Sequence, residues 1–330
     1  MLILNEKDLT TLFSMADAID AVKEAFRLQS QGLVEAPVRQ RLAGAAPGDA
    51  LLFMPGSVND RQQAGIKIVS VFPGNRAQGR PVVSATMLVL DSHTGEALCL
   101  MDGTALTQLR TGAGAGAATD LLARPDARVA ALFGTGGQAA RQLEALLTVR
   151  PLEEVRVFSR TPESREAFAQ AMNACFGELF GVRIRAVSSA DEALEGADIV
   201  STATTSHTPV FDGRRVQKGA HVNGSGSFTL DMQELDEALI ATCDRLYIDG
   251  WEACLEEAGD IMIPLAAGAF DRSRVTGELG QLLLGQVPGR TAPEQVTVFK
   301  SVGIAPQDTV TADRIYRAAL ARGVGQRVEL

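Results

Sequence analysis

Apolar positions after residue 128 follow two alternating patterns. Short apolar runs such as RVAALF (128–133), VRIRAV (182–187) and ADIVSTAT (197–204) are separated by segments whose apolar residues lie three and four positions apart. The runs predict buried strands and the segments between them predict amphipathic helices. Strands that alternate with helices favour a doubly wound parallel sheet, so the sequence predicts an α/β fold of Rossmann type for this part of the chain.

The first 102 residues show a different pattern. Residues 8–32 carry apolar positions at helical spacing up to Gly32, which predicts one amphipathic helix or two. Residues 51–101 contain β-rich runs separated by Pro, Gly and Asn, and the segment DSHTGEA predicts a hairpin turn with His93 at its tip. The last segment, from Pro306 onward, has the spacing of an amphipathic helix that follows the final strand.

The stretch from Leu109 to Ala123 is rich in glycine and alanine, as a linker would be. Three glycines inside a helix cost about 1 kcal/mol each relative to alanine. A helix here therefore needs close packing to compensate. Three interpretations remain at this point: a flexible hinge, a packed helix, or part of a binding site.

Composition excludes several classes of function. The 330 residues are 46% hydrophobic and 22% charged, and 31 basic against 40 acidic residues give a net charge of −9. This balance argues against nucleic acid or a membrane surface as partner, and no apolar run reaches the roughly 18 residues of a bilayer span. Four scattered cysteines and three histidines indicate no metal site. The acidic start, MLILNEKDL, does not resemble an export signal, so we expect a cytoplasmic protein.

A glycine-rich loop, GTGGQA (134–139), directly follows the run at 128–133 and fits the pattern G-x-G-x-x-A. Gly134 allows the tight turn, Gly136 lets the backbone approach a pyrophosphate, and Ala139 lets the next helix pack close to the strand. The strand before, the helix after and the later β/α units together predict a dinucleotide site. The cofactor contacts predicted here are Gly134, Thr135, Gly136, Gly137, Gln138 and Ala139.

The end of the next strand bears on the choice of cofactor. An NAD site has Asp or Glu at this place to bind the ribose hydroxyls, whereas this chain has Ser159, Arg160 and Thr161. A guanidinium pairs with a 2′-phosphate and hydroxyls add hydrogen bonds to it. We therefore predict NADP(H) as the preferred cofactor, with NAD(H) as the alternative.

The ends of later strands are expected to frame the nicotinamide, because ligands of such sheets bind beyond the carboxyl ends of the strands. Small and polar residues occupy these positions, although the same residues are also typical of turns. The further predicted cofactor contacts are Thr202, Ala203, Thr204, Asn223, Gly224, Ser225 and Val302, together with Thr111 in the glycine-alanine stretch.

Three basic residues of the first part lie in apolar or turn-like surroundings: Arg39, Lys67 and Arg110. Lys67 has isoleucine on both sides. Such a lysine either points outward from an edge strand or points into a cleft toward a carboxylate or imine partner.

These residues belong to segments that resemble the ornithine cyclodeaminase/mu-crystallin family. The resemblance covers nearly the whole chain through many separated segments, among them the Met54-Pro55 pair and APVR (36–39), GIKIVSVFPGN (65–75), LTQLRTGA (106–113), LFGTGGQA (132–139), ADIVSTAT (197–204) and FKSVG (299–303), followed by a helix with Asp308. It implies a Rossmann NADP-binding domain at 116–305. It also implies a discontinuous α+β domain, 1–115 with 306–330, that binds a small-molecule substrate and forms a homodimer.

The resemblance also implies roles for single residues. Family members bind the carboxylate of an amino or imino acid with basic residues at the positions of Arg39, Lys67 and Arg110, and Met54 is expected beside them. A guanidinium gives bidentate recognition of a carboxylate, and an ammonium adds charge and donors near the reacting nitrogen. Lys67 is the expected catalytic residue.

The chain departs from the family's cyclodeaminases at one position. There an aspartate assists the proton transfers of deamination, whereas here that position is Phe228, and Asp231 comes three residues later. A phenyl ring moves no protons. The departure favours the simpler reaction, NAD(P)H-dependent reduction of a cyclic imino acid of the 1-pyrroline-2-carboxylate type to an amino acid of the L-proline type.

Three alternatives remain from the sequence. The first is an ornithine or lysine cyclodeaminase, and the second is an amino acid dehydrogenase of the alanine type. The third is a non-catalytic protein that binds a ligand together with NADP.

Overall fold

The computed structural model describes residues 1–59 and 63–329. Contacts divide the chain into two compact units. The first comprises Met1–Arg110 and Ile304–Leu330, and the second comprises Thr111–Gly303. Both ends of the chain thus belong to the first unit.

The described residues form strands and helices in the following order. The strands are β1 (Leu2–Leu4), β2 (Val34–Glu35), β3 (Gln40–Ala43), β4 (Ala50–Val58), β5 (Gln63–Val71), β6 (Val83–Asp91), β7 (Ala97–Asp102), β8 (Val129–Phe133), β9 (Glu154–Phe158), β10 (Arg183–Ala186), β11 (Ile199–Thr202), β12 (His221–Gly224), β13 (Arg245–Ile248), β14 (Val275–Glu278), β15 (Thr297–Lys300) and β16 (Gln326–Arg327). The α-helices are α1 (Glu6–Leu12), α2 (Met15–Ser30), α3 (Gly103–Leu122), α4 (Ala139–Val149), α5 (Pro162–Met172), α6 (Glu178–Phe180), α7 (Ala190–Leu194), α8 (Glu237–Thr242), α9 (Trp251–Glu257), α10 (Gly259–Ala266), α11 (Leu279–Leu283) and α12 (Ala305–Arg322). None of the helices in this part of the chain has the length and apolar character needed to cross a membrane.

The N-terminal helical pattern forms two helices, α1 and α2. Ser14 separates them, because its hydroxyl accepts the backbone N–H of Asp17 while the Asp17 carboxylate accepts the N–H of Ser14. Such a capping box satisfies donors at the start of a helix and fixes where it begins.

The first unit contains a mixed sheet in the order β16-β1-β7-β6-β5-β4-β2, and β3 also pairs with β4. Its long strands β4, β5 and β6 are antiparallel, and alternate residues of β4 and β5 are buried. Helix α12 packs against β4, β5 and α2. The predicted hairpin is confirmed, because β6 pairs antiparallel with β7 and exposed His93 lies in the turn between them.

The second unit contains a parallel sheet in the order β10-β9-β8-β11-β12-β15-β13-β14. Ala130 and Leu132 of β8 belong to one buried cluster with α4, whereas Ala131 and Phe133 belong to another with α8. Helices therefore cover both faces of the sheet, and the predicted α/β fold of Rossmann type is confirmed. The chain runs from β8 toward β10 on one side and toward β12 on the other, so the strand order reverses at β8.

The glycine-alanine stretch is helical and not a hinge, since it lies within α3. Gly112 explains how this helix packs. A Cβ atom at this position would come within 2.4 Å of the backbone oxygen of Arg141 in α4. A larger residue would force α3 and α4 apart, so the glycine permits the close contact that offsets its low helix propensity.

Candidate functional site

Three charged side chains of the first unit meet in its interior. Lys67 Nζ lies 2.7 Å from Asp308 Oδ2, and Arg110 Nε donates to Asp308 Oδ1 at 3.0 Å. Relative exposure of Lys67 and Asp308 is 1% each, and that of Arg110 is 5%. Buried charges are tolerated when they are paired and hydrogen-bonded. We call these three residues the charged cluster.

The secondary structure accounts for where the cluster lies. Lys67 occupies one of the alternate inward positions of β5, directly opposite buried Met54 of β4. Asp308 lies in the first turn of α12, where the helix dipole favours a negative charge. Gln307 precedes it, and its Oε1 accepts from Arg110 Nη1 at 3.3 Å and from the backbone N–H of Ile304 at 3.0 Å.

The Lys67 amine has a strongly shifted pKa. Burial and the positive charge of Arg110 lower it from the ordinary 10.5 to about 7, although Asp308 raises it. Burial raises the pKa of the Asp308 carboxyl, but Arg110 and Lys67 outweigh this effect and hold that pKa below its usual range. Lys67 is therefore able to gain and lose a proton near neutral pH while Asp308 stays ionised.

The predicted substrate residues lie in one neighbourhood of this unit. Half-buried Arg39 precedes β3, and its positive charge is a further influence that lowers the pKa of Lys67. Met54 contributes an apolar side chain next to Lys67. The sequence did not identify Asp308 or Gln307 as partners of Lys67 and Arg110.

The second unit contains a cavity of about 350 Å³ at the carboxyl ends of β8, β9 and β11. It is lined by residues 133–136, 158–160, 203–206 and 208–210. This is the place where the strand order reverses, and dinucleotides bind there in doubly wound sheets. The cavity is thus lined by predicted cofactor residues from three segments of the chain. They are Gly134, Thr135 and Gly136, then Ser159 and Arg160, and finally Ala203 and Thr204.

The glycines of the loop fit a dinucleotide. Gly134 has φ +105°, and a Cβ atom there would approach the backbone oxygen of Ala203 to 2.5 Å. At Gly136, by contrast, a Cβ atom would meet nothing within 4 Å. The protein's own packing therefore does not require glycine at 136, whereas a phosphate group close to this backbone would require it.

Two of the predicted cofactor residues, neither of which lines the cavity, contain a buried polar atom without a hydrogen-bond partner in the described part of the chain. Gln138 Oε1 and Ser225 Oγ have no hydrogen-bond partner among the described residues. Buried polar atoms without partners are rare and call for an explanation. Gln138 directly precedes α4, which begins at buried Ala139, and exposed Gly137 lies in the turn before it.

Two arginines lie at the end of β9. Arg160 is exposed and lines the cavity, and exposed Thr161 precedes α5. Arg165 of α5 was not identified from the sequence. Its Nη1 donates to the Ser159 carbonyl at 3.0 Å and its guanidinium lies 5.7 Å from the Phe158 ring centroid.

The remaining predicted cofactor residues do not line the cavity. Thr202 and Asn223 are fully buried, and the Asn223 amide donates to Thr119 Oγ1 at 2.9 Å. The backbone N–H of Val302 donates to Asp249 at 2.9 Å, and partly buried Thr111 lies within α3. Gly224 is the last residue of β12.

A second group of buried charges, not identified from the sequence, lies behind the loops after β11 and β12. Glu234, Asp260 and Lys300 each have 0% relative exposure. Lys300 Nζ lies 2.9 Å from Asp260 Oδ2, and the Glu234 carboxylate accepts hydrogen bonds from both loops. These three residues come from separate segments of the chain and are close only in the folded structure, so no sequence motif identifies them. In the described part of the chain no group of His, Cys, Asp and Glu has the arrangement of a metal site.

Phe228, at the position of the cyclodeaminase aspartate, has a role in packing. Phe228 is partly buried and packs against the core of the second unit. Asp231 is exposed, where it accepts from Thr229 Oγ1 at 2.6 Å and lies 3.3 Å from His207 Nδ1. Neither residue supplies a buried base.

Comparison with known proteins agrees with this geometry. A Δ1-pyrroline-2-carboxylate reductase of Bacillus cereus is 38% identical over 329 residues, which is 100% of each chain. The structure of Thermococcus litoralis Δ1-pyrroline-2-carboxylate reductase in complex with NADH and L-proline has a TM-score of 0.93 at 38% identity, over 99% of this chain and 100% of that one. An archaeal alanine dehydrogenase dimer with bound NAD has a TM-score of 0.90 at 33% identity, over 100% of this chain and 99% of that one.

The family resemblance seen in the sequence is also confirmed. The model of the ornithine cyclodeaminase/mu-crystallin family matches residues 1–323. The match includes the glycine-rich loop and all three members of the charged cluster. The chain belongs to the ornithine cyclodeaminase/mu-crystallin family.

Proposed function

We propose that this protein is an NAD(P)H-dependent oxidoreductase that reduces the C=N bond of a small cyclic imino acid, from a 1-pyrroline-2-carboxylate type to an L-proline type. The observation that carries the proposal is the charged cluster, in which Asp308 holds Lys67 and Arg110 side by side. A full-length relative named as a reductase of this imino acid, and a similar reductase structure with NADH and L-proline, support the substrate class.

Arg110 is the proposed carboxylate-binding residue. Its Nε donates to Asp308 and its Nη1 to Gln307, while the described residues offer no acceptor to Nη2. With Lys67 protonated, two positive charges and one negative charge give the cluster a net charge of +1, and nearby Arg39 adds to it. A carboxylate supplies the missing acceptor and the missing charge. Arg39, Met54, Lys67 and Arg110 are the proposed substrate contacts.

Lys67 is the proposed catalytic acid. Its ammonium protonates the imine nitrogen, which makes the neighbouring carbon a better hydride acceptor, and the neutral amine then regains a proton from water. A reduced nicotinamide, when bound, supplies the hydride that completes the C–H bond. Asp308 keeps the Lys67 amine in place at 2.7 Å and stabilises its charged form.

The absence of a base at Phe228 supports reduction over cyclodeamination. Deamination and ring closure need a group that moves protons at that place, whereas reduction of a preformed C=N bond does not. Phe228 packs on the core and Asp231 is exposed, so neither takes that role.

NADP(H) is the proposed preferred cofactor. No carboxylate stands among Ser159, Arg160 and Thr161 to repel a 2′-phosphate, and Arg165 brings a second guanidinium to the same strand end. The proposed cofactor contacts are the predicted residues that line the cavity, together with Thr111, Gly137, Gln138, Ala139, Thr161, Thr202, Asn223, Gly224, Ser225 and Val302. NAD(H) remains the alternative, since NADH and NAD are the cofactors in the two similar structures.

A homodimer is proposed from the first unit. One face of its sheet is buried, whereas on the opposite face alternate residues remain partly exposed, among them Leu51, Phe53, Ile66, Ile68 and Leu88. An apolar face of this kind is typical of an association surface. The similar alanine dehydrogenase structure is that of a dimer.

The function is tested by NAD(P)H oxidation with 1-pyrroline-2-carboxylate and with 1-pyrroline, which lacks the carboxylate. We expect the wild type to strongly prefer the carboxylate compound. Arg110→Ala should lower kcat/KM for 1-pyrroline-2-carboxylate at least about tenfold, because one charge-assisted hydrogen bond contributes about 1.5–3 kcal/mol. The variant should change turnover of 1-pyrroline far less. An absence of oxidation with imino acids of every ring size would reject the function, and equal losses on both compounds would reject the role of Arg110.

The proposed acid predicts a pH dependence. Because Lys67 must be protonated, kcat/KM should be highest below pH 7 and fall as the pH rises through about 7. In Asp308→Asn the fall should move to lower pH, since Asp308 raises the pKa of Lys67. Titration of the free substrate is common to both proteins, so the difference between their profiles reports the enzyme.

Asp313→Asn is the matched control for this profile. Asp313 is another buried aspartate of α12, and it contacts Gln63 and Arg317 instead of Lys67. Its profile should coincide with that of the wild type. Coincident profiles for Asp308→Asn and the wild type would contradict the proposed acid.

Cofactor preference is tested at Arg160. We expect Arg160→Ala to weaken NADPH binding roughly tenfold and to leave NADH binding unchanged, because only NADPH carries the phosphate that pairs with the guanidinium. Fluorescence titration gives both dissociation constants. Arg183→Ala, which removes an exposed arginine of β10, should change neither value. Equal weakening of both cofactors by Arg160→Ala would contradict the assignment.

The dimer is tested by sedimentation of the wild type, Ile68→Lys and Leu320→Lys. Ile68 and Leu320 have similar exposures, 37% and 42%, but only Ile68 lies on the open sheet face. We expect a dimer for the wild type and for Leu320→Lys, and dissociation for Ile68→Lys because a charge would be buried at the interface. A monomeric wild type at micromolar concentration would refute the dimer.

A further inference from the structure

The buried charges of the second unit need an explanation, since the proposed chemistry does not use them. Asp260 and Lys300 form an ion pair at 2.9 Å with no exposed surface, and Glu234 is equally buried. Removing such charges from water costs several kcal/mol per ion, and apolar residues of the same volume often stabilise a fold as well or better. Stability alone is therefore a poor reason for this group.

Glu234 joins two loops through one carboxylate. Its Oε1 accepts from the backbone N–H of Thr204 at 2.6 Å and from Thr204 Oγ1 at 2.8 Å. Its Oε2 accepts from the backbone N–H groups of Gly226 and Ser227 at 2.6 and 3.0 Å. Burial raises the pKa of the Glu234 carboxyl, whereas the positive charge of Lys300 and the hydrogen bonds from Thr204 oppose that shift. The loop after β11 and the loop after β12 thus share one acceptor.

Asp260 and Lys300 hold Glu234 in turn. Asp260 Oδ1 accepts from the backbone N–H groups of Glu234 and Leu235 at 2.6 and 2.9 Å. Lys300 Nζ, at the end of β15, bonds to Asp260 Oδ2 and donates to the Ser227 carbonyl at 2.7 Å. The network connects the end of β15, the start of α10 and both loops, so a shift of either loop must break charge-assisted hydrogen bonds.

The two loops lie on one side of the strand at which the sheet order reverses. Thr204 lines the cavity beyond β11, whereas Arg160 lines it beyond β9 on the opposite side of β8. In sheets of this kind the end of the β9-type strand meets the adenosine ribose, so the other half of the dinucleotide extends toward the β11 side. Of the two loops that Glu234 joins, the loop after β11 lines the cavity on that side, and the loop after β12 is held next to it by the shared carboxylate.

We propose that Glu234 is a positioning residue that fixes the nicotinamide side of the cofactor cavity by holding the loops after β11 and β12 on one carboxylate. The inference rests on the proposed function, because it requires that the cavity bind a nicotinamide dinucleotide. It predicts that loss of Glu234 separates the two halves of cofactor recognition: the adenosine half remains and the nicotinamide half is weakened.

The test is Glu234→Gln, which keeps the size of the side chain but replaces one acceptor oxygen with an NH₂ group that faces two donors. Calorimetric titration measures NADH and ADP, the latter as a probe of the adenosine half alone. We expect NADH affinity to fall at least about tenfold, as for a charged hydrogen bond, and ADP affinity to stay within about twofold. In steady-state assays KM for NADH should rise while KM for the imino acid stays unchanged.

Two further variants keep the result decisive. Glu192→Gln breaks a surface ion pair with Arg185 in the same unit and should change neither ligand. Ser227→Ala removes a hydroxyl that bonds to Asp260 and Lys300 but leaves Glu234 in place. It should weaken NADH in the same direction by about fivefold, and it decides the question if Glu234→Gln does not fold.

Each outcome has one meaning. Equal losses of NADH and ADP would show that the network only stabilises the unit, and unchanged NADH affinity would show that the loops need no such support. Either result overturns the inference while wild-type reduction of the imino acid leaves the proposed function intact. A wild type that neither binds NADH nor reduces an imino acid would instead reject the proposed function and the inference with it.

Discussion

The proposed chemistry depends on the ion pairs that the Asp308 carboxylate forms with Lys67 and Arg110. This carboxylate sits between Lys67 and Arg110, each within 3.0 Å, in a part of the unit that is almost closed to solvent. Without it, the two buried cations would repel each other, and Lys67 would lose its charge or its position. With it, the guanidinium is fixed, the pKa of Lys67 lies at about 7, and the net charge of the cluster remains positive. A buried positive charge next to an apolar Met54 is complementary to a small carboxylate with a hydrocarbon ring.

A buried carboxylate has a comparable place in the second unit. There Glu234 holds backbone N–H groups of two loops, much as Asp308 holds two side chains. In both units the acid is buried, so its hydrogen bonds are strong and geometrically specific. The chain thus combines a sheet scaffold, formed by regular apolar patterns, with a few ionised groups that determine the detailed shape of each site.

The sequence predicted what depends on local pattern. Apolar runs that alternate with helical spacing in 128–303 predicted the parallel sheet. Gly134, Gly136 and Ala139 predicted the loop, because its tight turn and the close packing of the next helix depend on six consecutive residues. The partners of Lys67 could not be predicted, since Asp308 is 241 positions away and meets it only when α12 packs on β5. The network of Glu234 could not be predicted either, because Glu234, Asp260 and Lys300 come from separate segments of the chain. The glycine-alanine stretch at 109–123 could not be assigned as hinge or helix from the sequence. The close contact between Gly112 and the Arg141 backbone, which explains the glycine in this helix, is not visible in any local pattern.

The most direct test of the account is a crystal structure of this protein with NADH and pyrrole-2-carboxylate, a flat analogue of the proposed substrate. We expect the carboxylate oxygens about 2.7–3.2 Å from the Arg110 guanidinium and the ring nitrogen beside Lys67 Nζ, with Asp308 still bound to both residues. An analogue bound elsewhere, or a carboxylate that contacts neither Arg110 nor Lys67, would contradict it.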